Sequence, residues 1–336
     1  MAKFPLTSFS SSSLASVVLS VPCCSALFLP LPTLSSPSTS SRGRLLLDTP
    51  RQFRHLKVFS GYDVVPPNVL EFSKGWKEIY ERCTLWRWNG YSVNFFCKGS
   101  GPPLLLVHGF GASIAHWRRN IGVLSESYTV YAIDLLGFGS SDKPLEFSYS
   151  IELWSQLILD FLKEVVKKPT VLIGNSVGSL VCVMATTEAS EGLVRGLVLL
   201  NCAGGMNNKA IVDDWRIRLI MPFLWILDFL LKKRSIALAI FEYVKKRENL
   251  KNILLSVYGN KEFVDDDLIE IIKKPAEDPG ALDAFISIVT GPPGPSPVSL
   301  MPKLTVPVLI LWGDQDPFTP IDGPVENIFL SPFSVL

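Results

Sequence analysis

A serine stands in the middle of the string Gly174-Asn175-Ser176-Val177-Gly178, between an apolar run and the start of a helical pattern. A strand that turns sharply into a helix holds its middle residue in a strained conformation, and glycines two positions away on either side let the neighbouring backbone pass closely. An ordinary glycine-rich loop is the alternative, since these letters occur by chance in roughly one chain of this length in ten. The position between strand and helix predicts that Ser176 is an exposed nucleophile whose turn is shaped by Gly174 and Gly178.

A second glycine-rich loop, His108-Gly109-Phe110-Gly111, follows an earlier apolar run. Its Phe110 amide, together with the amide of Val177, can face the negative oxygen that forms when a hydroxyl attacks a carbonyl. Removing one such donor typically slows a reaction by about a hundredfold or more. Phe110 and Val177 are therefore the predicted oxyanion hole, Gly109 and Gly111 are its loop glycines, and His108 is predicted to support the loop rather than to transfer protons.

An acidic turn, Trp312-Gly-Asp-Gln-Asp316, follows the last recognisable apolar run. An acid at such a place can orient a histidine and stabilise its imidazolium. Asp316 is predicted to be this acid and Asp314 a solvated turn residue, and the reverse assignment stays open.

Asp134 follows another apolar run and is predicted to cap and turn the chain beneath the site. The alternative is that its loop binds a phosphate, but the loop lacks the Lys-Ser/Thr pair expected after the glycines of a phosphate-binding loop.

The elements that must position these residues are visible as apolar runs. Five runs are continuous rather than alternating, which is typical of strands buried on both faces of a parallel sheet: residues 103–107, 128–133, 170–173, 194–200 and 306–311. Residues 91–96 alternate like an antiparallel strand, and residues 151–166 carry a helical apolar stripe. Together they predict an α/β fold with a doubly wound, mostly parallel sheet.

The rest of the chain divides around this sheet. Residues 204–298 are almost entirely helical in pattern, and an insertion between two strands at the carboxyl edge predicts a lid. The core is then expected at residues 76–203 and 299–336, after a linker at 46–75.

The first 45 residues have the composition of a targeting segment. No charged residue lies between Phe4 and Ser41, and serines are abundant. We expect a plastid transit peptide that is disordered and lies outside the fold. A secretory signal is the main alternative, and a mitochondrial address is the other.

Composition and charge restrict the partners. The 336 residues include 32 Lys+Arg against 31 Asp+Glu, which excludes a nucleic-acid binder that works by bulk charge. The six cysteines have neither the paired spacing of a zinc site nor the density of a disulfide scaffold. We therefore expect no metal, no cofactor and no nucleic acid, and the oligomeric state stays open.

The blocks in this order resemble the α/β-hydrolase superfamily over about residues 60 to 325. Strings at the elbow and in the lid are similar to those of the plastid chlorophyll dephytylases: residues 174–183, 201–209, 213–216, 248–259, 280–285 and 291–295. That resemblance implies hydrolysis of the phytyl ester of chlorophyll to chlorophyllide and phytol at thylakoid membranes. Independently, the apolar and aromatic lid residues between 215 and 229 suit a lipophilic ester or a membrane surface, or simply packing on the core.

The resemblance also implies a catalytic histidine after the final strand. The only histidines are His55, in the linker, His108, and His116, which reads as a capping or packing residue. His108 can serve only through a different relay geometry. We therefore expect a C-terminally truncated form without the catalytic histidine, final strand and helix, weak or inactive, with the sheet edge at residues 306–311 exposed.

Other functions remain open at this point. A lipase or carboxylesterase for other lipid esters would use the same machinery, and a non-catalytic protein that binds a pigment or other ligand would need none of it. A haloalkane dehalogenase is disfavoured because position 176 is Ser and not the Asp that would form an alkyl ester.

Overall fold

The computed structural model describes residues 17–20, 76, 78–207, 226–313 and 316. Asp314, His55, the linker and most of the segment 215–229 lie outside the described residues. Among the helices of the described ranges, none combines the length and apolarity that crossing a membrane requires.

An eight-stranded sheet forms the centre of the molecule. Its strands are β1 (Val17–Ser20), β2 (Cys83–Trp88), β3 (Tyr91–Lys98), β4 (Pro103–Val107), β5 (Thr129–Ile133), β6 (Thr170–Asn175), β7 (Val194–Leu200) and β8 (Val308–Trp312). They lie in the order β1-β8-β7-β6-β4-β5-β3-β2. All neighbours are parallel except β3 with β5 and β2 with β3, which confirms the predicted mostly parallel sheet with an antiparallel start.

Both faces of the sheet carry an apolar layer, which explains the continuous runs. Leu105 packs with Trp154 and Leu180 on one face, and the next residue along β4, Leu106, packs with Ile121 on the other. All five residues of β4 are buried. A strand with two buried faces has no position left for a polar side chain.

The hairpin partner β2 is absent from the predicted strands. Buried and exposed residues do not alternate regularly along β2, because Thr84, Leu85 and Arg87 are all exposed at the edge of the sheet. The turn to β3 is Asn89-Gly90, with φ of 48° and 87°. A tight β-hairpin favours a turn of two residues with positive φ. The Asn-Gly pair is therefore the sequence signal that predicts the β2–β3 hairpin.

The opposite edge is occupied by a strand from the leader. Val17–Ser20 pairs in parallel with residues 309–312 of β8. These four leader residues therefore lie in the sheet of the full chain, beside residues 309–312 of the edge that the sequence predicts to be exposed. An edge strand offers unpaired backbone groups, and the apolar, β-branched segment Val-Val-Leu is well suited to pair with them.

Helices α1 (Arg118–Leu124), α2 (Ile151–Phe161) and α3 (Val177–Glu188) flank the sheet. The Ser150 side chain caps α2 by accepting the Leu153 amide. A π-helical turn, Leu162–Val166, extends α2 until Lys167 adopts a left-handed conformation. The predicted helix over 151–166 is thus confirmed in extent.

A helical layer lies between β7 and β8. It comprises residues 226–231, α4 (Arg234–Val244), α5 (Arg247–Val257), α6 (Asp266–Ala276), α7 (Ala281–Thr290) and α8 (Pro297–Leu300). Three ion pairs of the described residues join it to the sheet domain: Arg118 and Arg119 with Asp265 at 2.9 and 3.2 Å, and the buried Lys143 with Asp278 at 2.8 Å. This layer is therefore tied to α1 and to the loop that follows β5.

Candidate active site

Ser176 occupies a sharp turn between β6 and α3. Its backbone has φ 53° and ψ −120°, a conformation that costs a residue other than glycine about 1–3 kcal/mol. Its amide donates to the Leu200 carbonyl at 2.9 Å, and its own carbonyl accepts the Ser179 and Ala203 amides at 3.0 and 3.2 Å. These bonds hold the strained turn, and the serine remains partly exposed, as a nucleophile must be.

The flanking glycines are required by close backbone contacts. A Cβ on Gly174 would lie 2.5 Å from the Gly178 carbonyl oxygen, and one on Gly178 would lie 2.5 Å from the Val107 carbonyl oxygen. Any side chain here would separate α3 from β6 or from the end of β4. The pattern of the elbow is thus explained by packing rather than by chance.

The loop after β4 lies directly against this turn. A Cβ on Gly109 would lie 3.1 Å from the Ser176 Cβ, and Gly111 has φ 67°, a conformation that favours glycine. The loop that carries the Phe110 amide is therefore in van der Waals contact with the turn that carries the Val177 amide. Both Phe110 and Val177 are buried, so donors placed here act in a low dielectric.

His108 is a structural residue of this loop. Its Nδ1 lies 2.7 Å from the Gly109 carbonyl oxygen, which requires the proton on Nδ1, and its Nε2 accepts the Leu135 amide at 3.0 Å. Burial lowers the pKa of His108. Both ring nitrogens are engaged with the backbone, so His108 joins the ends of β4 and β5 and is not placed to act as a base.

His116 has a similar structural role. Its Nδ1 accepts the Ser113 amide at 3.0 Å at the start of the short helical turn Ile114–Trp117. Burial, with a smaller effect from the Arg118 charge, lowers the pKa of His116 to about 3. The capping role predicted from the sequence is confirmed.

A neutral, bonded His116 makes the fold sensitive to acid. Its pKa in the folded protein lies below the value of about 6.5 expected when unfolded, so the unfolded chain binds more protons below pH 6.5. The free energy of unfolding should fall from that pH toward pH 3, with His116 accounting for about 1–2 kcal/mol at pH 5. Chemical unfolding at pH 7 and pH 5 measures this.

The matched control is His116→Asn, whose side-chain oxygen can still accept the Ser113 amide but does not titrate. The variant should lose less stability between pH 7 and pH 5 than the parent. Equal losses would show that His116 does not contribute, and the acid sensitivity would then belong to the carboxylates or to His108.

Asp134 fixes the loop after β5. The buried carboxylate accepts the Ile114 amide at 2.7 Å, and the Ser140 amide and the Asn94 side chain at 2.8 Å each. The loop glycine Gly139 passes against the same carboxylate with φ 52°. The prediction that Asp134 caps and turns the chain is confirmed in detail.

Asp316 lies buried just beyond β8. Its Oδ2 accepts a hydrogen bond from the side chain of Asn201 at 2.5 Å. Asn201 has φ 45° and follows Leu200, the residue whose carbonyl accepts the Ser176 amide. A single turn after β7 thus contacts both the predicted acid and the backbone of the predicted nucleophile.

Asn201 is the site residue that the sequence analysis does not find. It lies 115 positions from its partner, and no local motif announces such a contact. The only local signal is its place immediately after a buried strand, a kind of position that Ser176 and Asp316 also occupy.

Aromatic rings connect the site to the lid. Phe110 contacts Phe138 at 5.7 Å between centroids and Phe285 of α7 at 6.3 Å. Phe285 in turn contacts Phe241 of α4 at 5.3 Å. The loop beside Ser176 is therefore roofed by aromatic side chains of the helical layer, and this side of the site is apolar.

The described residues contain no cluster of three or more His, Cys, Asp or Glu side chains that could hold a metal. The buried cysteines Cys182 and Cys202 are shielded from solvent, and burial raises the pKa of both thiols. Neither is suited to nucleophilic chemistry at neutral pH.

Comparison with known proteins gives a family and a fold. A family model described as the alpha/beta hydrolase fold matches residues 102–332, which include the elbow, the lid and Asp316. An uncharacterised hydrolase of Bacillus subtilis, YugF, is 27% identical over 221 residues, covering 65% of this chain and 74% of that protein.

A chloroplastic pheophytinase of Arabidopsis thaliana is 25% identical over 254 residues, covering 65% of this chain and 52% of that protein, so the match spans about half of the relative. Among solved structures, the meta-cleavage product hydrolase CumD of Pseudomonas fluorescens IP01 aligns with a TM-score of 0.56 and 23% identity, covering 72% of this chain and 83% of that one. This likeness shows the fold alone.

Proposed function

The chain belongs to the alpha/beta hydrolase fold family, and on that premise we propose that it is a serine ester hydrolase acting on the phytyl ester of chlorophyll. The observation that carries the proposal is the strained, partly exposed Ser176 between two glycines that admit no side chain. That geometry is typical of the nucleophile of this fold.

The proposed reaction proceeds in two steps. Ser176 Oγ attacks the ester carbonyl while the Phe110 and Val177 amides stabilise the oxyanion, and the carbon–oxygen bond to the phytyl alcohol breaks. Phytol leaves with the proton that the Ser176 hydroxyl gave up, and water then hydrolyses the acyl-enzyme to the chlorophyllide acid and restores that hydroxyl. Asp316 is the acid that orients the base.

The base is the component that the described residues do not supply. His108 and His116 both accept backbone amides through a ring nitrogen and are held neutral by burial. We therefore expect this chain to hydrolyse esters slowly, at the residual level left when one member of a triad is missing.

Three observations support a large apolar substrate of the chlorophyll type. The lid strings resemble those of chlorophyll dephytylases, and a chloroplastic pheophytinase is among the relatives. Independently of either, the roof formed by Phe110, Phe285 and Phe241 is aromatic. A porphyrin-like ring with a long hydrocarbon ester is a ligand that such a roof favours.

The proposal predicts chlorophyllide and phytol as products. Prolonged incubation of the 336-residue chain with chlorophyll a should release both, as resolved by chromatography, and Ser176→Ala should release neither. Acylglycerols and short acyl esters serve as competing substrates. Cleavage of these but not of chlorophyll would favour a lipase or carboxylesterase, and tight pigment binding without ester loss in the presence of an added base would favour a binding protein.

We also infer that the protein works in the chloroplast. The support is the hydroxyl-rich leader, which lacks acidic residues before Asp48, and the chloroplastic relative. Residues 1–75 fused to a fluorescent protein should accumulate in plastids, and secretion of the fusion would contradict this.

A further inference from the structure

Two identical basic triplets bracket one helix of the lid. Lys232-Lys233-Arg234 stands at the start of α4, and Lys245-Lys246-Arg247 follows its end. The helix has 11 residues, so the two triplets stand about 16 Å apart along its axis. A helix with positive charge at both ends has the charge distribution of a segment that lies flat on an anionic surface.

Exposed apolar side chains accompany these triplets. Ten large apolar side chains in the described part of the chain are exposed, and five of them lie between residues 226 and 243. They are Ile226, Phe229, Leu230, Leu238 and Tyr243, of which Phe229 is 60% exposed and Tyr243 58%. These five side chains and the two triplets are called the lid patch below.

The positive charge of the lid patch is only partly neutralised. Lys232 pairs with Asp228 and Lys245 with Glu242, and the two arginines pair with acids of α6 and α7. Lys233 lies 5.1 Å from the centroid of the Phe229 ring. Within the described residues neither Lys233 nor Lys246 has an ion-pair partner, so each end of α4 keeps one cation that no acid neutralises.

We propose that the lid patch docks the protein on the surface of an anionic lipid bilayer. At about 16 Å, α4 is too short to cross a hydrocarbon core of about 30 Å but long enough to lie in the interface. Phe229 and Tyr243 then enter the headgroup region while Lys233 and Lys246 meet lipid phosphates. Protein partners offer phosphate and hydrocarbon side by side far less often than a bilayer does.

Helix α4 joins the lid patch to the roof of the site. Phe241 of α4 contacts Phe285, which contacts Phe110 beside Ser176. The proposal therefore deepens the proposed function, because it names where an ester dissolved in the bilayer would enter. It rests on the proposed function only for that route, since binding to lipid does not need hydrolysis.

Vesicle sedimentation with the 336-residue chain tests the proposal. Binding should be strong to phosphatidylcholine vesicles that contain about 30% phosphatidylglycerol, weak to phosphatidylcholine alone, and reduced by salt. Because each basic residue contributes roughly fivefold to binding, Lys233→Glu/Lys246→Glu should weaken it by at least about 25-fold. Phe229→Ser/Tyr243→Ser should weaken it about tenfold.

Matched controls lie on the sheet domain. Lys163→Glu/Lys168→Glu changes two exposed lysines, and Leu85→Ser/Leu145→Ser changes two exposed leucines; both should bind like the parent, and all variants should melt at similar temperatures. Equal binding to both vesicle types, or equal losses in patch and control variants, would overturn the proposal. So would a dimer in gel filtration that the patch variants convert to monomer, because the patch would then join two copies. Vesicle binding without chlorophyll hydrolysis, even when imidazole is added, would leave this inference standing and reject only the proposed function.

Discussion

Imidazole added to the buffer is expected to raise ester hydrolysis by this chain about tenfold or more, and Ser176→Ala is expected to abolish that gain. Ser176 occupies a strained turn and Asp316 is buried and bonded to Asn201, whereas His108 and His116 are engaged with the backbone. General base catalysis contributes about 10²–10⁴-fold. Free imidazole supplies only part of this because it is not held in position. Initial rates on a soluble p-nitrophenyl ester, measured against imidazole concentration, give the result.

The controls separate the enzyme from the added base. Imidazole itself hydrolyses activated esters, so rates without protein must be subtracted, and the Ser176→Ala curve should coincide with that background. Asp316→Asn should reduce the gain if this acid orients the base. A gain that survives in Ser176→Ala would reject the nucleophile. High turnover without imidazole that is lost in His55→Ala would show that a histidine of this chain is the base.

The parallel strands were predictable because a strand that is buried on both faces has a continuous run of apolar residues. Leu105 and Leu106 enter opposite apolar layers, so consecutive residues must both be apolar. The sequence pattern of β2 is weaker because this strand lies at an edge of the sheet that faces solvent. The local sequence of β1 does not predict that it joins the sheet. Its pairing with residues 309–312 is a contact between segments almost 300 positions apart.

The site shows the same division between local and distant causes. Ser176 could be found because a strained turn needs glycines at fixed distances along the chain. Asp316 could be found from its place after a strand. Asn201 could not, because its role comes from a side-chain bond to Asp316 across the sheet edge. A sequence pattern reveals the constraints between residues that are close along the chain. It does not reveal the constraints between residues that only the fold brings together.

Gly178→Ala is expected to lower the free energy of unfolding by about 3 kcal/mol and to abolish ester hydrolysis. The new methyl group would lie 2.5 Å from the Val107 carbonyl oxygen and also meet the His108 carbonyl oxygen. Both are backbone atoms at the end of a buried strand, so neither can move without displacing β4. Urea unfolding gives the stability change, and the imidazole-supported rate gives the activity.

Gly122→Ala in α1 is the matched control, because nothing lies within 4 Å of a methyl group added there. Alanine suits a helix better than glycine, so this variant should gain about 0.5–1 kcal/mol and keep its activity. The two substitutions add the same atom and differ only in what that atom meets. If Gly178→Ala were as stable as Gly122→Ala, β4 and α3 would not approach this closely, and the loop that carries the Phe110 amide would not be held against Ser176.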